Sequence, residues 1–553
     1  MRSLLPHRNR QLACHALLLA VCLVGYWPLT LGVFSVKNDA IHYFLPARYN
    51  ISCAIRSGEW PLWSPFFYTG FPLHGDMQSG AWNPLVWVLS LFSRYNLTVL
   101  HIETLLYIYL AGIGMFRLAR QVTSHTGTRL FVALSYMLSG YLFGSAQFTN
   151  WMASAAFLPF VLDSYTDLLR TRTTGSAVRT ALSCWMLLVC GYPADFLYTS
   201  YLLLALLAVV WVHHRNRLSR EAVRRYAVSH LVLIALFIGL ALPALLSYIQ
   251  MLPYYGRGGG ASLQDALVNS YEPRNLVSLL DPWPTWTAGF RTITDLSSRN
   301  LFVGVLPLLF LPFAFGNRMR KRAWLLLGIL LISLLFAFGD GFGLRRVAYS
   351  WLPGMASFRH PAHFRLYVIV ALLLLSASGF DHLRRKSTAS FRKSVLAGLV
   401  ACLVIMVLGG AGASGASLPA MSRAALKSWV VNVSMGNALV VGLACQALFL
   451  LVVFLYARRR AWSPDRLLWL HVANLLFFNA LLPVTLVGKT NPSVVNGIIR
   501  ARAGVTSGPS FDSTLSVNSR DALAHYETAG RLGFYSGRIT LLPTVYNPSA
   551  LRT

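Results

Sequence analysis

The sequence predicts an all-α polytopic membrane protein with about thirteen membrane-spanning helices. Three observations carry that expectation. Of 553 residues, 56% are hydrophobic and 12% charged, against about a quarter charged in soluble domains. Apolar runs near the length of a bilayer crossing, roughly 20 residues, recur along the chain. Basic residues cluster between those runs on alternate sides. The mean hydropathy of +0.54 argues against disorder, which requires low hydrophobicity. A net charge of +30 would suggest nucleic acid in a soluble chain. Here the basic residues form many short clusters without a recognition motif, so no nucleic-acid partner is expected.

The runs are 11–34, 97–117, 128–144, 150–168, 178–191, 195–212, 226–249, 301–315, 323–339, 366–380, 394–413, 433–457 and 466–488. Gly191-Tyr192-Pro193-Ala194-Asp195 splits the fifth from the sixth. The fifth is short for a full crossing, and a broken or re-entrant helix is the alternative there. Arg2, Arg8 and Arg10 place the N-terminus inside. The short inside segments then hold 27 of the 48 Lys and Arg residues, as in Arg318/Arg320/Lys321/Arg322. The first run has no clear cleavage site before Tyr26 and reads as a retained span. Residues 1–488 read as one transmembrane domain, and the tail 489–553 falls outside. Six of the seven cysteines lie in runs and no CxxC pair exists, so neither a disulfide framework nor a zinc site is indicated.

Three outer segments are long enough to build a site: 35–96, 250–300 and 340–365. They and the tail hold most of the 12 acidic residues, of 18 in all, that fall outside. Acid–base or metal chemistry should therefore face outward. Asp39 follows the first run closely. A helix over 39–55 would put Asp39 and His42 on one face at i, i+3. A carboxylate there suits a general base or part of a divalent cation site, and equally a plain helix N-cap. The stretch Gly58 to Gln78 is rich in aromatics, Pro and Gly. Trp60 and Trp63 suit an interfacial aromatic belt, or a platform for a sugar ring beside His74, Asp76 and Gln78. Glu103 lies inside the second run, where an ionisable group is functional by default or snorkels to the interface. Arg359, His360, His363 and Arg365 sit on the outer side, against the positive-inside trend. The two arginines suit a phosphate or pyrophosphate, or anionic lipid head groups. Two histidines alone are weak evidence for a metal.

Several loose motifs then occur in order. They are Asp39-x-x-His42-Tyr43-x-x-Pro46, Gly58-Glu59-Trp60-Pro61-Leu62-Trp63-Ser64-Pro65, Gly70-Phe71-Pro72, Trp151 with Leu158-Pro159, and Gly191-Tyr192-Pro193. Leu280-Asp281-Pro282, Phe302 to Leu308, Phe358 to Phe364 and Ser378-Gly379-Phe380 complete the series. On these residues the chain resembles the YfhO-like bacterial membrane proteins, within the GT-C superfamily of polytopic glycosyltransferases. The resemblance implies a GT-C-type fold in the bacterial inner (cytoplasmic) membrane, where the charge pattern makes the N-terminus cytoplasmic and the C-terminus extracytoplasmic. It implies a catalytic acidic residue just after the first span, which is Asp39 here. It also implies a polyprenyl-phosphate-linked sugar as donor and outer-face transfer to a cell-envelope glycan, lipid or protein. The related Arg-x-Pro-x-Arg pattern is altered, because His363 stands where the second arginine would be and Arg365 follows two residues on. A divalent cation such as Mg or Mn is left open. The alternatives are a transporter or flippase of a lipid-linked glycan, and a non-catalytic scaffold for envelope assembly.

Overall fold

The computed structural model describes residues 7–480 except 65–69, 215–218, 256–259, 288–289, 317–319, 386–387, 412–434 and 460–462. The tail 489–553, the end of the last apolar run and Pro65 to Thr69 of the aromatic stretch therefore lie outside the described residues. In chain order the main helices are α1 (His7–Gly25), α2 (Leu45–Arg56), α3 (Pro84–Phe92), α4 (Leu97–Leu118) and α5 (Thr126–Met137). They continue with α6 (Thr149–Thr171), α7 (Thr174–Cys190), α8 (Pro193–His214), α9 (Arg220–Met251) and α10 (Arg320–Ala337). The last are α11 (Leu344–Trp351), α12 (Arg365–Arg385), α13 (Thr388–Ala411), α14 (Met435–Arg458) and α15 (Pro464–Leu475). Among the described residues the one strand-like pairing is a single bridge between Ser64 and Phe71.

Among those residues, 6 helices are long and apolar enough to cross a membrane. They correspond to α4, α8, α9, α12, α13 and α14. Shorter apolar helices cover Asn9–Gly25, Thr174–Cys190 and Leu306–Gly316. Three of the expected runs are interrupted, each for a local reason. The first ends at Gly25, ahead of a four-residue turn, Trp27–Thr30, that carries Pro28. The third breaks after Met137, where the Gly140 amide turns aside to donate to the Phe302 carbonyl at 2.7 Å. The eighth is extended up to Gly304, and Pro307 and Pro312 then limit it to Leu306–Phe310 and a 3-10 turn. A proline removes one backbone donor and clashes with the preceding turn, which favours a break in these runs, although Pro159 of α6 and Pro243 of α9 lie inside continuous helices. The expected split at 191–195 is present, with α7 ending at Cys190 and α8 starting at Pro193.

The chain clusters into two compact units. Among the described residues the first comprises 7–25, 115–144 and 261–480, and the second 26–114 and 145–260. In the second unit, Tyr165, Leu168 and Leu169 of α6 pack with Ala177 and Ala181 of α7 and Tyr226 and Leu233 of α9. The Tyr226 hydroxyl donates to the Leu169 carbonyl at 2.8 Å, which fixes where α9 crosses the end of α6. In the first unit α12 is the central helix. Phe380 stacks on Phe310 with centroids 4.7 Å apart, and Phe131 packs against both. Gly379 permits that approach, because a Cβ there would lie 1.9 Å from the Phe310 carbonyl oxygen. On α11 the apolar Val347 and Trp351 are exposed, whereas the neighbouring Arg345 is fully buried.

The first unit also buries a carboxyl group. Asp281 is 0% exposed. Its Oδ1 accepts the Trp283 amide at 3.0 Å, and its Oδ2 has no hydrogen-bond partner among the described residues. Gly442 of α14 faces it, and a Cβ there would fall 2.0 Å from Oδ2. Burial pushes this carboxyl well above the usual carboxylate range. The folded state therefore holds a proton that the unfolded chain releases once pH exceeds the ordinary carboxylate value. From that pH upward, stability falls until the raised folded-state value is reached. Asp281→Asn supplies a neutral isostere. It is expected to raise the melting temperature at pH 8 and to change it little at pH 4. Thermal unfolding of purified protein at both pH values checks this, and a gain independent of pH would contradict it.

Candidate functional site

The second unit builds its site from the segment between α1 and α4. The segment is anchored at its start by the Val36 amide, which donates to His101 Nε2 on α4 at 3.3 Å. Asn38 then adopts a left-handed conformation, φ 49°, which asparagine tolerates better than most residues. The Ile41 and His42 amides both return to the Asn38 carbonyl at 2.9 Å. This turn starts a π-helical stretch, Ala40–Phe44, that runs into α2. Asp39 and His42 are both exposed, but on a π-helical turn rather than on the single helix expected over 39–55, since the α-helix begins only at Leu45. The Asp39 side chain makes no N-cap hydrogen bond.

The second acidic turn of this loop carries Asp76. Tyr43 donates its hydroxyl to Asp76 Oδ2, and the Gln78 amide donates to Oδ1 at 2.9 Å. Burial raises the Asp76 carboxyl, while these hydrogen bonds act in the opposite direction. Burial, and next the Asp76 charge, push the Tyr43 hydroxyl well up, so it stays protonated as a donor. Tyr255 donates to the Gly75 carbonyl from beyond α9.

Two amide contacts bring both turns to the start of α6. Asn38 Nδ2 donates to Gln147 Oε1 at 2.6 Å, and Asn150 Nδ2 donates to Gln78 Oε1 at 2.9 Å. Asp39 and Asp76, 37 residues apart in sequence, are thus each one or two residues from a group tied to the same helix end. Unpaired amides at a helix N-terminus favour negative charge and anionic ligands.

Arg48 of α2 secures this arrangement. It is 1% exposed and lies 3.3 Å from Glu103 of α4 through Nη2. Its Nη1 donates to the Ser79 carbonyl and, at 3.5 Å, to the Gln78 carbonyl. Tyr95 donates to the other Glu103 oxygen at 3.0 Å. Burial disfavours the Arg48 cation most strongly, but Glu103, Tyr95 and Tyr107 together outweigh it and hold the guanidinium charged. Gly80, at φ +82°, is required because a Cβ would sit 2.2 Å from Arg48 Nη1. Glu103, expected at a functional or snorkelling position, is therefore placed in a buried ion pair.

His74 closes the loop on itself. Its amide and its Nδ1 both reach the Leu62 carbonyl, at 3.2 and 2.7 Å. Trp60 is 63% exposed and meets Trp87 edge-on at 5.7 Å. Trp63 is 37% exposed and covers Gly70.

The remaining predicted residues belong to the first unit. Here buried guanidiniums hold the loop 352–364. Arg345 Nη2 donates to the Met355 and Phe358 carbonyls, both at 2.8 Å. His360 is left-handed at φ 67°, and its amide donates to Val268 O at 3.2 Å. Arg359 and His360 are partly exposed, whereas His363 and Arg365 are buried. Arg365 donates to the carbonyls of Ala362, Asn300 and Ser297 at 2.9, 2.8 and 3.2 Å. Its guanidinium also lies over the Tyr141 ring at 5.3 Å, and the same ring meets His363 edge-on. The structure thus places Arg365 inside the fold on backbone carbonyls, away from the surface position expected for a phosphate contact.

Sequence reasoning did not single out Tyr43, Arg48, Gln147, Asn150, Tyr255 or Arg345. Arg48 carried a usable signal, because it is a cation on the expected outer side, like Arg359. The amide residues carried none. Among the described residues no three His, Cys, Asp or Glu side chains gather as a metal site. Both Asp76 oxygens accept a hydrogen bond, from Tyr43 and from the Gln78 amide.

No known family model matches the sequence, and no curated protein is similar to it in sequence. Solved structures do resemble it. ArnT from Cupriavidus metallidurans bound to undecaprenyl phosphate matches with a TM-score of 0.52 at 13% identity, covering 89% of this chain and 79% of that one. The chain has a GT-C-type fold. ArnT in the apo state gives a TM-score of 0.49 at 15% identity, over 96% of this chain and 88% of that chain. The arabinosyltransferase EmbB from Mycobacterium smegmatis gives 0.40 at 14%, over 91% and 44%. At these identities the likeness is one of GT-C architecture, and activity has to be argued from residues.

Glu103→Ala leaves Arg48 buried without its counter-ion and is expected to destabilise the protein by about 3–5 kcal/mol. Replacing both partners with apolar side chains, R48M/E103L, should recover much of that loss. Unfolding of the purified variants measures both. A single variant as stable as the parent would show that the pair does not hold the loop.

Proposed function

We propose that this protein is a GT-C glycosyltransferase. It moves a sugar from a polyprenyl-phosphate-linked donor to a cell-envelope acceptor on the extracytoplasmic face of the bacterial cytoplasmic membrane. The observation that carries the reading is the pair of acidic turns, Asp39 and Asp76, tied to the start of α6 by Gln147 and Asn150. The GT-C-type fold, shared with ArnT from Cupriavidus metallidurans bound to undecaprenyl phosphate, supports a lipid-phosphate donor. The ordered motifs support a YfhO-like member. The charge pattern supports a cytoplasmic N-terminus and an extracytoplasmic C-terminus.

In this reading Asp39 is the base, exposed on a turn whose backbone is set by Asn38. Its carboxylate accepts the proton of the acceptor hydroxyl as that oxygen attacks the anomeric carbon. The bond from that carbon to the phosphate oxygen breaks, and its electron pair leaves with the phosphate. Cationic donors stabilise the charge that develops there. Arg359, partly exposed and carried by the loop that Arg345 braces, is the residue we assign to the donor phosphate. Asp76, bound by Tyr43, orients sugar hydroxyls together with Gln78 and His42. Trp60 and Trp63 offer ring faces.

Asp39→Ala is expected to lower sugar transfer by about 10²–10⁴-fold, the usual range for a lost general base, while the protein still inserts and folds. Transfer from a synthetic polyprenyl-phosphate sugar measures this, and full activity would remove Asp39 from the mechanism. Arg359→Ala should raise KM for the lipid donor more than it lowers kcat, and an unchanged KM would remove the phosphate role. Mass spectrometry of envelope polymers with and without the protein should show one sugar modification disappear. Accumulation of lipid-linked sugar on the inner face alone would indicate a flippase.

A further inference from the structure

The second unit gathers positive charge at one corner. Across 167–179 and 220–226 stand six arginines, Arg170, Arg172, Arg179, Arg220, Arg224 and Arg225, against the carboxylates Asp167 and Glu221. Packing brings the two stretches together. Tyr226 of α9 donates its hydroxyl to the Leu169 carbonyl at 2.8 Å, beside the turn that joins α6 to α7. Arg172 stands on that turn in a left-handed conformation, φ 56°, at a position where glycine is the less costly residue. Its guanidinium lies over the Tyr226 ring at 4.5 Å, which holds a planar fork in place. The residue is half-buried, and among the described residues no carboxylate pairs with it.

The neighbouring arginines are only weakly committed. Glu221 is shared by Arg224 and Arg225, at 3.0 and 2.9 Å, and both guanidiniums are largely exposed. Such pairs stabilise little, so a phosphate can compete for their donors. The surface beside them decides what carries that phosphate. On α9, Arg224 is followed on the same face by Val228, Leu231, Ile238 and Leu242, at i+4, i+7, i+14 and i+18. All four are exposed, by 50%, 67%, 47% and 45%. A water-soluble phosphate would leave this stripe bare. A phospholipid covers both parts, with its headgroup at the arginines and an acyl chain along the stripe. A zwitterionic headgroup brings a cation of its own to a corner already in positive excess, so an anionic headgroup fits better.

We propose that the corner formed by the α6–α7 turn and the first two turns of α9 is a binding site for an anionic phospholipid. Arg172, Arg224 and Arg225 hold its phosphate, and one acyl chain lies along Val228, Leu231 and Ile238. The positive-inside trend asks for charge at this end of the helices, but not for a guanidinium fixed on a ring. The site does not depend on the sugar-transfer reading.

The test titrates the full chain in dodecyl maltoside by calorimetry. The probes are dioctanoyl phosphatidylglycerol, dioctanoyl phosphatidylcholine and glycerol phosphate. Phosphatidylglycerol should bind saturably and at least ~10-fold more tightly than either of the others, since each basic side chain at an anionic surface is worth about 5-fold. On the same scale Arg172→Gln should weaken it about 5-fold and R224Q/R225Q about 25-fold. The charge-matched variant K321Q/K393Q removes two exposed lysines of the first unit and should leave the affinity unchanged. Melting temperatures are measured alongside. If Arg172→Gln lowers its own, R224Q/R225Q decides alone, because both of its side chains are exposed. Equal affinity for the two lipids, or glycerol phosphate binding as tightly as phosphatidylglycerol, would overturn the proposal. So would an equal loss in K321Q/K393Q, because the attraction would then be diffuse.

Discussion

The loop that bears Asp39 and Asp76 keeps its shape through one buried guanidinium. Arg48 meets Glu103 on one side and the carbonyls of Gln78 and Ser79 on the other. In a low-dielectric interior a cation persists only if charge and hydrogen bonds replace its lost water. That requirement works in reverse on the loop. Two carbonyls of an irregular segment are drawn to a fixed point beside α4, Gly80 is forced to remain glycine, and the Asp76 turn is presented to Tyr43. Loss of the ion pair would release the turn rather than a helix.

The first unit uses the same device for another irregular segment. Arg345 and Arg365, both 0% exposed, donate to five backbone carbonyls in loops 297–300 and 355–362. Non-helical backbone near a bilayer carries carbonyls and amides that no regular helix satisfies, and they have to be met inside the protein. A planar guanidinium with five N–H donors meets several at once, where lysine would not. Arginines that run against the positive-inside trend thus hold loops in this fold, and sequence alone does not tell a buried one such as Arg365 from a partly exposed one such as Arg359.

Much of the architecture was legible because each helix leaves a local record. Runs such as 97–117 and 226–249 match α4 and α9 closely, and the break at Gly191-Tyr192-Pro193 is where α7 gives way to α8. The run 301–315 was misleading, since its composition is apolar while Pro307 and Pro312 and the extended start break the helix. For the site, a surface segment bearing Asp39 and His42 was readable from its place just after an apolar run, but its π-helical turn was not. The contribution of α6 was not, because Gln147 and Asn150 are ordinary amides at the edge of a hydrophobic helix and carry no charge anomaly.

Hydropathy and charge are properties of short segments, so the sequence by itself determined the all-helical membrane class, the expected sidedness and the loops that concentrate acidic residues. Which polar groups meet was decided by tertiary structure alone. Tyr43 and Asp76 are 33 residues apart, Gln78 and Asn150 are 72, and Arg365 and Asn300 are 65. No periodicity links positions at such separations. Their contacts arise only when apolar faces have packed and every buried donor has to find an acceptor.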